Sequence, residues 1–154
     1  MTAMANRTRI TLSPDVTRHI FNSDLSGEFA RDWIRYLKGL LIEDGFDLED
    51  VVAPEVRCIE LDSAGYPPGI EGLRRLRDGA LAAMPDMSIH VLYLMTHPEQ
   101  GTVEAVIRCT GTAAGSKPTS WDVRSLARFS DGRLAERWDR ADIPALAAQL
   151  KGAA

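Results

Sequence analysis

The end of the chain carries a pattern that is typical of a β-hairpin and of little else. Asp131 and Gly132 form an Asp-Gly pair between two alternating runs of apolar and polar residues. The run after this turn ends in Arg-Trp-Asp, which places Asp139 near the end of a half-buried strand, beside a large aromatic side chain. A carboxyl group in an apolar pocket has a raised pKa and can exchange protons near neutrality. Asp139 is therefore the first candidate for a catalytic residue.

Composition and charge predict one globular domain that binds neither nucleic acid nor a membrane. The 154 residues suffice for a single core, and 18 Lys and Arg against 22 Asp and Glu give a net charge of −4. A chain of this charge lacks the basic field that a phosphate backbone requires. No apolar run is long enough to span a bilayer, and the first residues lack the apolar stretch of a secretory signal. We therefore expect a cytoplasmic protein.

The spacing of cysteine and histidine residues predicts no metal site. Cys58 and Cys109 each lie in a strand-like run, which is typical of buried free thiols. His19, His90 and His97 are scattered, without the spacing of zinc ligands. We expect neither a metal nor an organic cofactor.

Hydrophobic periodicity predicts several helices, then a strand, a helix and a run of four strands. The predicted helices cover residues 27–44, 48–52, 70–84 and 142–150, the last with Asp142 as its N-cap. The predicted strands cover residues 56–61, 87–96, 102–110, 120–129 and 133–140.

This order of elements predicts an α+β fold rather than an α/β fold. The last four strands are consecutive, so they pair antiparallel as a meander. A strongly curved antiparallel sheet wrapped around three N-terminal helices forms a cone, or α+β barrel, that closes imperfectly and leaves an apolar cavity at its open end. We expect residues 1–24, which are polar and weakly patterned, to form a partly ordered arm, and residues 25–154 to form one cone domain.

Four segments resemble, in order, the SnoaL-like polyketide cyclases, a family of the nuclear-transport-factor-2-like superfamily of α+β cones. GIEGLRRLRDGALAAMPDM (69–87) is similar to the family's helix that ends in a Phe-Pro-Asp turn. AVIRCTGTAAG (105–115) is similar to the strand that ends in a Gly-Thr-His turn. SLARFSDGRLAERWDRAD (125–142) resembles the closing hairpin, and ALAAQL (145–150) resembles the terminal helix. The resemblance covers residues 29–150 and implies the cone fold.

The resemblance also implies a role for one residue. In these cyclases the aspartate of a Glu-x-Trp-Asp motif is the proposed general acid/base of an intramolecular aldol ring closure, and here that position is Asp139. Two positions depart from the family pattern. Ser125 stands where a histidine often hydrogen-bonds the aspartate, and Ala113 replaces a histidine of the Gly-Thr-His turn. These departures indicate a changed reaction, a changed substrate or a lost activity.

The limonene-epoxide-hydrolase-like enzymes, a sister family of the same fold, provide a second comparison. They use an Asp–Arg–Asp arrangement around a water molecule, and Arg108 and Asp139 fall where the arginine and one aspartate are expected. The second aspartate falls near Thr110, so the carboxylate pair that activates water is incomplete. An epoxide hydrolase or isomerase of this fold is kept as an alternative, with Thr110 orienting the ligand.

The chemistry of a ring closure explains why one carboxyl group can suffice. A carbon acid must be deprotonated and a carbonyl oxygen protonated, and a carboxyl group whose pKa lies near the working pH can do both. We predict this role for Asp139, with Arg108 as its counter-charge or oxyanion partner. The alternative is that Asp139 pairs with Arg108, Arg137 or Arg140 and is purely structural.

Strand parity and position indicate which other side chains contact a ligand. Trp138 is expected on the face opposite Asp139, whereas Trp121 faces the cavity if Ser125 lies opposite Asp139 in the hairpin. The remaining candidates are Tyr36 at the cavity mouth, Tyr66 in a Pro-rich lid, Thr110 and His90.

Three functions agree with these observations. The leading one is a cofactor-free cyclase, or a related lyase or isomerase, that acts on a polyketide-like intermediate. The second is a non-catalytic domain that binds a small apolar or aromatic ligand, which the residues at positions 125 and 113 favour. The third is a structural or dimerisation module. A homodimer is expected in each case, because a curved sheet leaves one broad face to be covered.

Overall fold

The fold was analysed in a computed structural model that describes residues 9–43 and 45–141. Over these residues six strands form one curved, unclosed sheet, and five helices accompany it. The helices are α1 (Pro14–Ile20), α2 (Leu25–Leu41), α3 (Leu48–Val51), α4 (Ile59–Ser63) and α5 (Ile70–Ala83). The strands are β1 (Ile10–Leu12), β2 (Val52–Cys58), β3 (Ser88–His97), β4 (Thr102–Gly111), β5 (Thr119–Ser130) and β6 (Arg133–Ala141).

The sheet has the order β1-β3-β4-β5-β6-β2. Strands β3 to β6 form the predicted antiparallel meander. The expectation of an antiparallel sheet is wrong at both edges, where β1 runs parallel to β3 and β2 runs parallel to β6. Both edge strands come from the first part of the chain, and the helices that follow them allow the parallel direction.

Helix α2 is the central helix of the fold. It begins at the N-cap Asp24, whose side chain accepts a hydrogen bond from the backbone N–H of Gly27 at 3.0 Å. Its apolar face buries Trp33 and Leu37 in the core. The helix ends before the predicted stop at Gly45, because Ile42 already adopts the left-handed conformation with φ of 56°.

The first described residues are more regular than their weak patterning predicted. Residues 10–12 pair with residues 89–91 of β3. Ser13 then caps α1, and its hydroxyl accepts the backbone N–H of Val16 at 3.4 Å. A three-residue strand formed by pairing with a distant segment leaves too short a pattern for detection in the sequence.

The region between α3 and α5 also differs from the prediction. A strand was expected over 56–61, but β2 covers Val52–Cys58 and the following residues turn into the short helix α4. Helix α4 lies against β6, which brings Glu60 to the inner face of the sheet. The predicted terminal helix over 142–150 lies outside the described residues.

Alternation in the meander places one face of each strand in the core. The inner face of β4 carries Val103, Ala105, Ile107 and Cys109, all of them buried. Cys58 and Cys109 are both free, buried thiols. Among the described residues, no helix is long and apolar enough to cross a membrane.

Candidate functional site

A cavity of about 270 Å³ lies between the inner face of the sheet and the helices. Its walls are mainly apolar and come from α5, the end of α2 and the strands β3 to β5. Leu76, Ala80 and Leu81 of α5 form one wall, opposite the strand residues Ile107 and Trp121. The polar lining residues are Glu60, Arg77, Arg137 and Asp139.

Asp139 lies on the inner face of β6, directly opposite Ser125 of β5, which is the pairing on which the expected position of Trp121 depended. Its side chain is 18% exposed and lines the cavity. Its Oδ2 lies 3.3 Å from Nη2 of Arg137, whereas its Oδ1 is buried and has no hydrogen-bond partner among the described residues. One oxygen of this carboxyl group is thus without a protein partner beside an apolar cavity.

Arg137 is the organising cation of the site and is only 4% exposed. Its Nε donates to Oε1 of Glu60 at 2.7 Å, and its Nη1 donates to the hydroxyl of Tyr36 at 2.8 Å. Its Nη2 lies 2.6 Å from the same Glu60 oxygen. One guanidinium group therefore pairs with two carboxylates, from α4 and β6, and donates a hydrogen bond to a tyrosine hydroxyl of α2.

These neighbours set the protonation state of Asp139. Burial raises the pKa of its carboxyl group above the ordinary value, and the nearby Glu60 carboxylate raises it further. Arg137 and the Ser125 hydroxyl lower it, but they do not cancel the effect of burial. Burial disfavours the charge on Arg137 too, yet the surrounding acidic groups raise its pKa well above the usual range. The cluster thus holds a permanent cation beside an acid that is easily protonated.

The structure places Trp121 in the cavity wall, but two other predicted ligand contacts lie elsewhere. Ser125 is buried opposite Asp139 and is not part of the cavity lining, so it supports the carboxyl group rather than a ligand. Tyr36 was expected at the cavity mouth and is instead 2% exposed behind Arg137. Burial raises the pKa of its phenol, which remains protonated.

Three predicted site residues lie on the outer face of the sheet, and their expected contacts are wrong. Arg108 pairs with Asp122 on the neighbouring strand, with Nε 2.9 Å from Oδ1. The hydroxyl of Thr110 lies 3.3 Å from that of Ser120. His90 Nδ1 lies 2.7 Å from the Thr11 hydroxyl. His90 pairs with Arg108 across the two strands, and Thr110 follows Arg108 by two residues. Because successive side chains of a strand alternate between faces, all three point away from Asp139.

Two further positions are also outside the cavity lining. Tyr66 lies in the turn before α5 and packs, partly buried, against the core, so the predicted lid contact is not formed. Ala113, where the family pattern has a histidine, lies in the loop between β4 and β5. Among the described residues, no three His, Cys, Asp or Glu side chains group as metal ligands.

Sequence reasoning missed the roles of Arg137 and Glu60. Arg137 stands two residues before Asp139, and this shared parity was the available signal. It indicated only a structural ion pair. Glu60 gave no signal, because residues 56–61 were expected to form a strand and α4 is fixed by contacts with β6, far along the chain.

The family model of the SnoaL-like polyketide cyclases matches residues 43–150, which include the meander and the residues Glu60, Arg137 and Asp139 of the candidate site. No curated protein matches the chain in sequence.

Several solved structures share the fold at low sequence identity. A proposed polyketide cyclase from Bacillus cereus is 19% identical, with a TM-score of 0.73 over 97% of this chain and 95% of its own. A SnoaL-like polyketide cyclase from Agrobacterium tumefaciens is 18% identical, with a TM-score of 0.65 over 84% and 99%. AclR, a proposed hydroxylase from Streptomyces galilaeus, is 20% identical, with a TM-score of 0.62 over 80% and 98%. At these identities the likeness establishes the fold, which hosts more than one chemistry.

Proposed function

Because the chain belongs to the SnoaL-like polyketide cyclase family, we propose that it is a cofactor-free cyclase or isomerase with Asp139 as its general acid/base. The observation that carries this proposal is the buried carboxyl group beside an apolar cavity, with Oδ1 unpartnered and a raised pKa. The substrate class suggested by the family is a polyketide-like intermediate.

The proposed reaction needs two proton transfers at one place. Ionised Asp139 removes a proton from the carbon next to a carbonyl group, and the C–H electron pair becomes an enolate. The enolate carbon attacks a second carbonyl carbon of the same molecule, a C–C bond forms, and the new alkoxide takes the proton back from Asp139. A carboxyl group with a raised pKa is a stronger base when ionised, and Arg137 limits how far that pKa rises.

The proposal is tested by proton exchange at carbon, which needs no knowledge of the natural substrate. We expect the protein to accelerate solvent-deuterium exchange next to the carbonyl group of 2-tetralone, followed by proton NMR. The Asp139→Asn variant should lower the accelerated rate by roughly 10² or more, because general-base catalysis contributes about that much.

The matched control is Asp122→Asn, which removes an exposed carboxylate on the other face of the sheet. This variant should exchange 2-tetralone at the wild-type rate. An Asp139→Asn protein that keeps the full rate contradicts the assignment. A wild-type protein that binds 2-tetralone without accelerating exchange supports the alternative of a non-catalytic ligand-binding domain.

A second candidate function follows from the carboxylate–arginine–carboxylate cluster. On either side of Arg137, Glu60 and Asp139 each keep one buried oxygen that has no hydrogen-bond partner in the described part of the chain. A water molecule between these oxygens could lose a proton to Glu60 and attack an epoxide carbon. The C–O bond would break, and the resulting alkoxide would take a proton from Asp139. The second carboxylate, which the sequence comparison sought near Thr110, would come from α4.

Hydrolysis of cyclohexene oxide in ¹⁸O-labelled water separates this candidate from the first. If the cluster activates water, the diol carries one labelled oxygen and Glu60→Gln abolishes its formation. If the protein is instead a cyclase, Glu60→Gln should change the pH dependence of 2-tetralone exchange but should not abolish the exchange. Diol formation that Glu60→Gln does not change argues against the water-activating role.

We also propose that the outer face of the sheet pairs with a second copy of the chain. Tyr93, Leu126 and Trp138 are exposed there and line a groove of about 300 Å³. The groove also carries Glu104 and Arg140, so it presents both charges beside apolar surface. A patch with both signs of charge can complement itself across a two-fold axis, which supports a homodimer.

A further inference from the structure

The volume of the cavity limits what it can hold. A protein cavity of roughly 150 Å³ accommodates one benzene ring. At the same fit, a cavity of about 270 Å³ accommodates two fused rings but not four. A ligand that reaches Asp139 at the polar end has to place its ring system between α5 and the sheet.

The polar end of the cavity selects against an anion. Glu60 and Asp139 provide two carboxyl groups, and the one guanidinium group of Arg137 lies between them. A single positive charge cannot neutralise both carboxylates when both are ionised. The other cation of the lining, Arg77, is only 12% exposed, and its Nε lies 3.0 Å from Asp78 Oδ1. Its charge is compensated, so a carboxylate or phosphate group on the ligand would find no uncompensated cation, and it would meet net negative charge whenever Asp139 is ionised.

One face of α5 fixes the size of the space. Leu76 and Ala80 are four residues apart, so they lie one above the other on the helix and both line the cavity. Neither is fully buried, and Leu76 lines the cavity while it also packs against the core. Leu73, one turn earlier, is fully buried and anchors the helix.

We propose that this cavity takes a neutral ligand of no more than two fused rings with an oxygen function at its polar end, and that Leu76 and Ala80 set this size limit. The inference rests on the proposed function, since it identifies the class of molecule presented to Asp139. A bicyclic ketone or alcohol has a suitable volume, an apolar ring system for the walls and no charge.

The test compares three matched probes by isothermal titration calorimetry. They are 2-naphthalenemethanol, the four-ring alcohol 1-pyrenemethanol and the anion 2-naphthoate. We expect the two-ring alcohol to bind at least tenfold more tightly than either of the others. Equal affinity for the two alcohols would overturn the size limit, and equal affinity for 2-naphthoate would overturn the preference for a neutral ligand.

Variants of α5 connect the size limit to particular residues. Ala80→Phe should fill the cavity and weaken binding of 2-naphthalenemethanol at least tenfold, while Ala82→Phe, at an exposed position of the same helix, should not.

Leu76→Ala should enlarge the cavity and reduce the preference for the two-ring alcohol. Circular dichroism confirms that each variant is folded, and Leu81→Ala, at another wall position, replaces Leu76→Ala if that protein unfolds. Unchanged selectivity in the folded variants would overturn the assignment of these residues.

The same probes are measured with Asp139→Asn, which separates this inference from the proposed function. The size preference depends on the walls, so we expect it to survive in this variant. If the preference survives and exchange of 2-tetralone is also unaffected, the inference stands and the catalytic proposal fails. If exchange is lost in Asp139→Asn but neither alcohol is preferred by the wild-type protein, the catalytic proposal stands and the inference fails.

Discussion

Asp139 owes its properties to neighbours that oppose each other. Burial and Glu60 favour the protonated carboxyl group, whereas Arg137 and Ser125 favour the carboxylate. A lone buried carboxyl group would simply stay neutral, and a fully paired one would stay ionised. The arrangement around Asp139 lies between these limits, with burial dominant, and this balance is what the proposed role of Asp139 as both base and acid requires.

The raised pKa of Asp139 predicts a pH-dependent stability. A carboxyl group whose pKa is higher in the folded state stabilises the fold fully below its unfolded pKa of about 3.9, and this contribution is lost as the pH rises through the folded pKa. The neutral Asp139→Asn side chain cannot ionise. We therefore expect the free energy of unfolding of the Asp139→Asn protein, measured by urea denaturation, to increase relative to that of the wild-type protein as the pH rises from 3 to 8.

Asp122→Asn provides the comparison for that experiment. It removes an exposed carboxylate that pairs with Arg108, and such surface pairs contribute little to stability. Its difference from the wild-type protein should vary little over the same pH range. If the free energy of unfolding of Asp139→Asn relative to the wild-type protein stays constant or falls as the pH rises, burial does not dominate the pKa of Asp139.

At the scale of single elements, two bulges decide which side chains reach the cavity. The register of β3 against β4 shifts between Val91 and Tyr93, which leaves Leu92 as an extra residue. His90 and Tyr93 consequently lie on the same outer face although their numbers differ in parity. A similar shift opposite Arg128 and Phe129 lets Leu134 and Arg137 both face inward. Alternation is reliable between bulges and reverses across them.

Helix α2 offers a stability prediction at this scale. Replacing the N-cap Asp24 by Ala leaves a backbone N–H without its capping acceptor, and this should lower the free energy of unfolding by about 1 kcal/mol in urea denaturation. Asp24→Asn keeps a capping oxygen and should remain near the wild-type value. Equal losses in the two variants would mean that the cap does not stabilise α2.

The sheet separates two surfaces for which different functions are proposed. The inner face carries the cavity with Trp121 and Asp139, and the outer face carries exposed Tyr93, Leu126 and Trp138. Adjacent residues such as Trp138 and Asp139 therefore serve different surfaces. The pleat of the strand keeps these surfaces apart, so a change on one side can leave the other intact.

The proposed homodimer is tested at this scale with Trp138→Glu. A charge placed in the apolar outer face should weaken the pairing and shift the sedimentation coefficient from that of a dimer to that of a monomer. Phe21→Glu, which alters an exposed aromatic residue at the end of α1, should leave the coefficient unchanged. A wild-type protein that sediments as a monomer at high concentration would contradict the proposal.

The sequence by itself determined the features that depend on local periodicity. These are the helices α2, α3 and α5, the antiparallel meander, and the placement of Asp139 and Trp138 on opposite faces of their strand. Each follows from spacings of two, three or four residues, or from a short turn between consecutive strands.

Only the tertiary structure decided which groups surround Asp139. Its ion-pair partner is Arg137 rather than Arg108, and Glu60 joins the cluster from 77 residues away along the chain. The edge strand β1 and the helix α4 likewise exist because distant segments supply their contacts. Periodicity records which face a residue takes within its own element, but it does not record which elements meet, and the chemistry of this site arises where they meet.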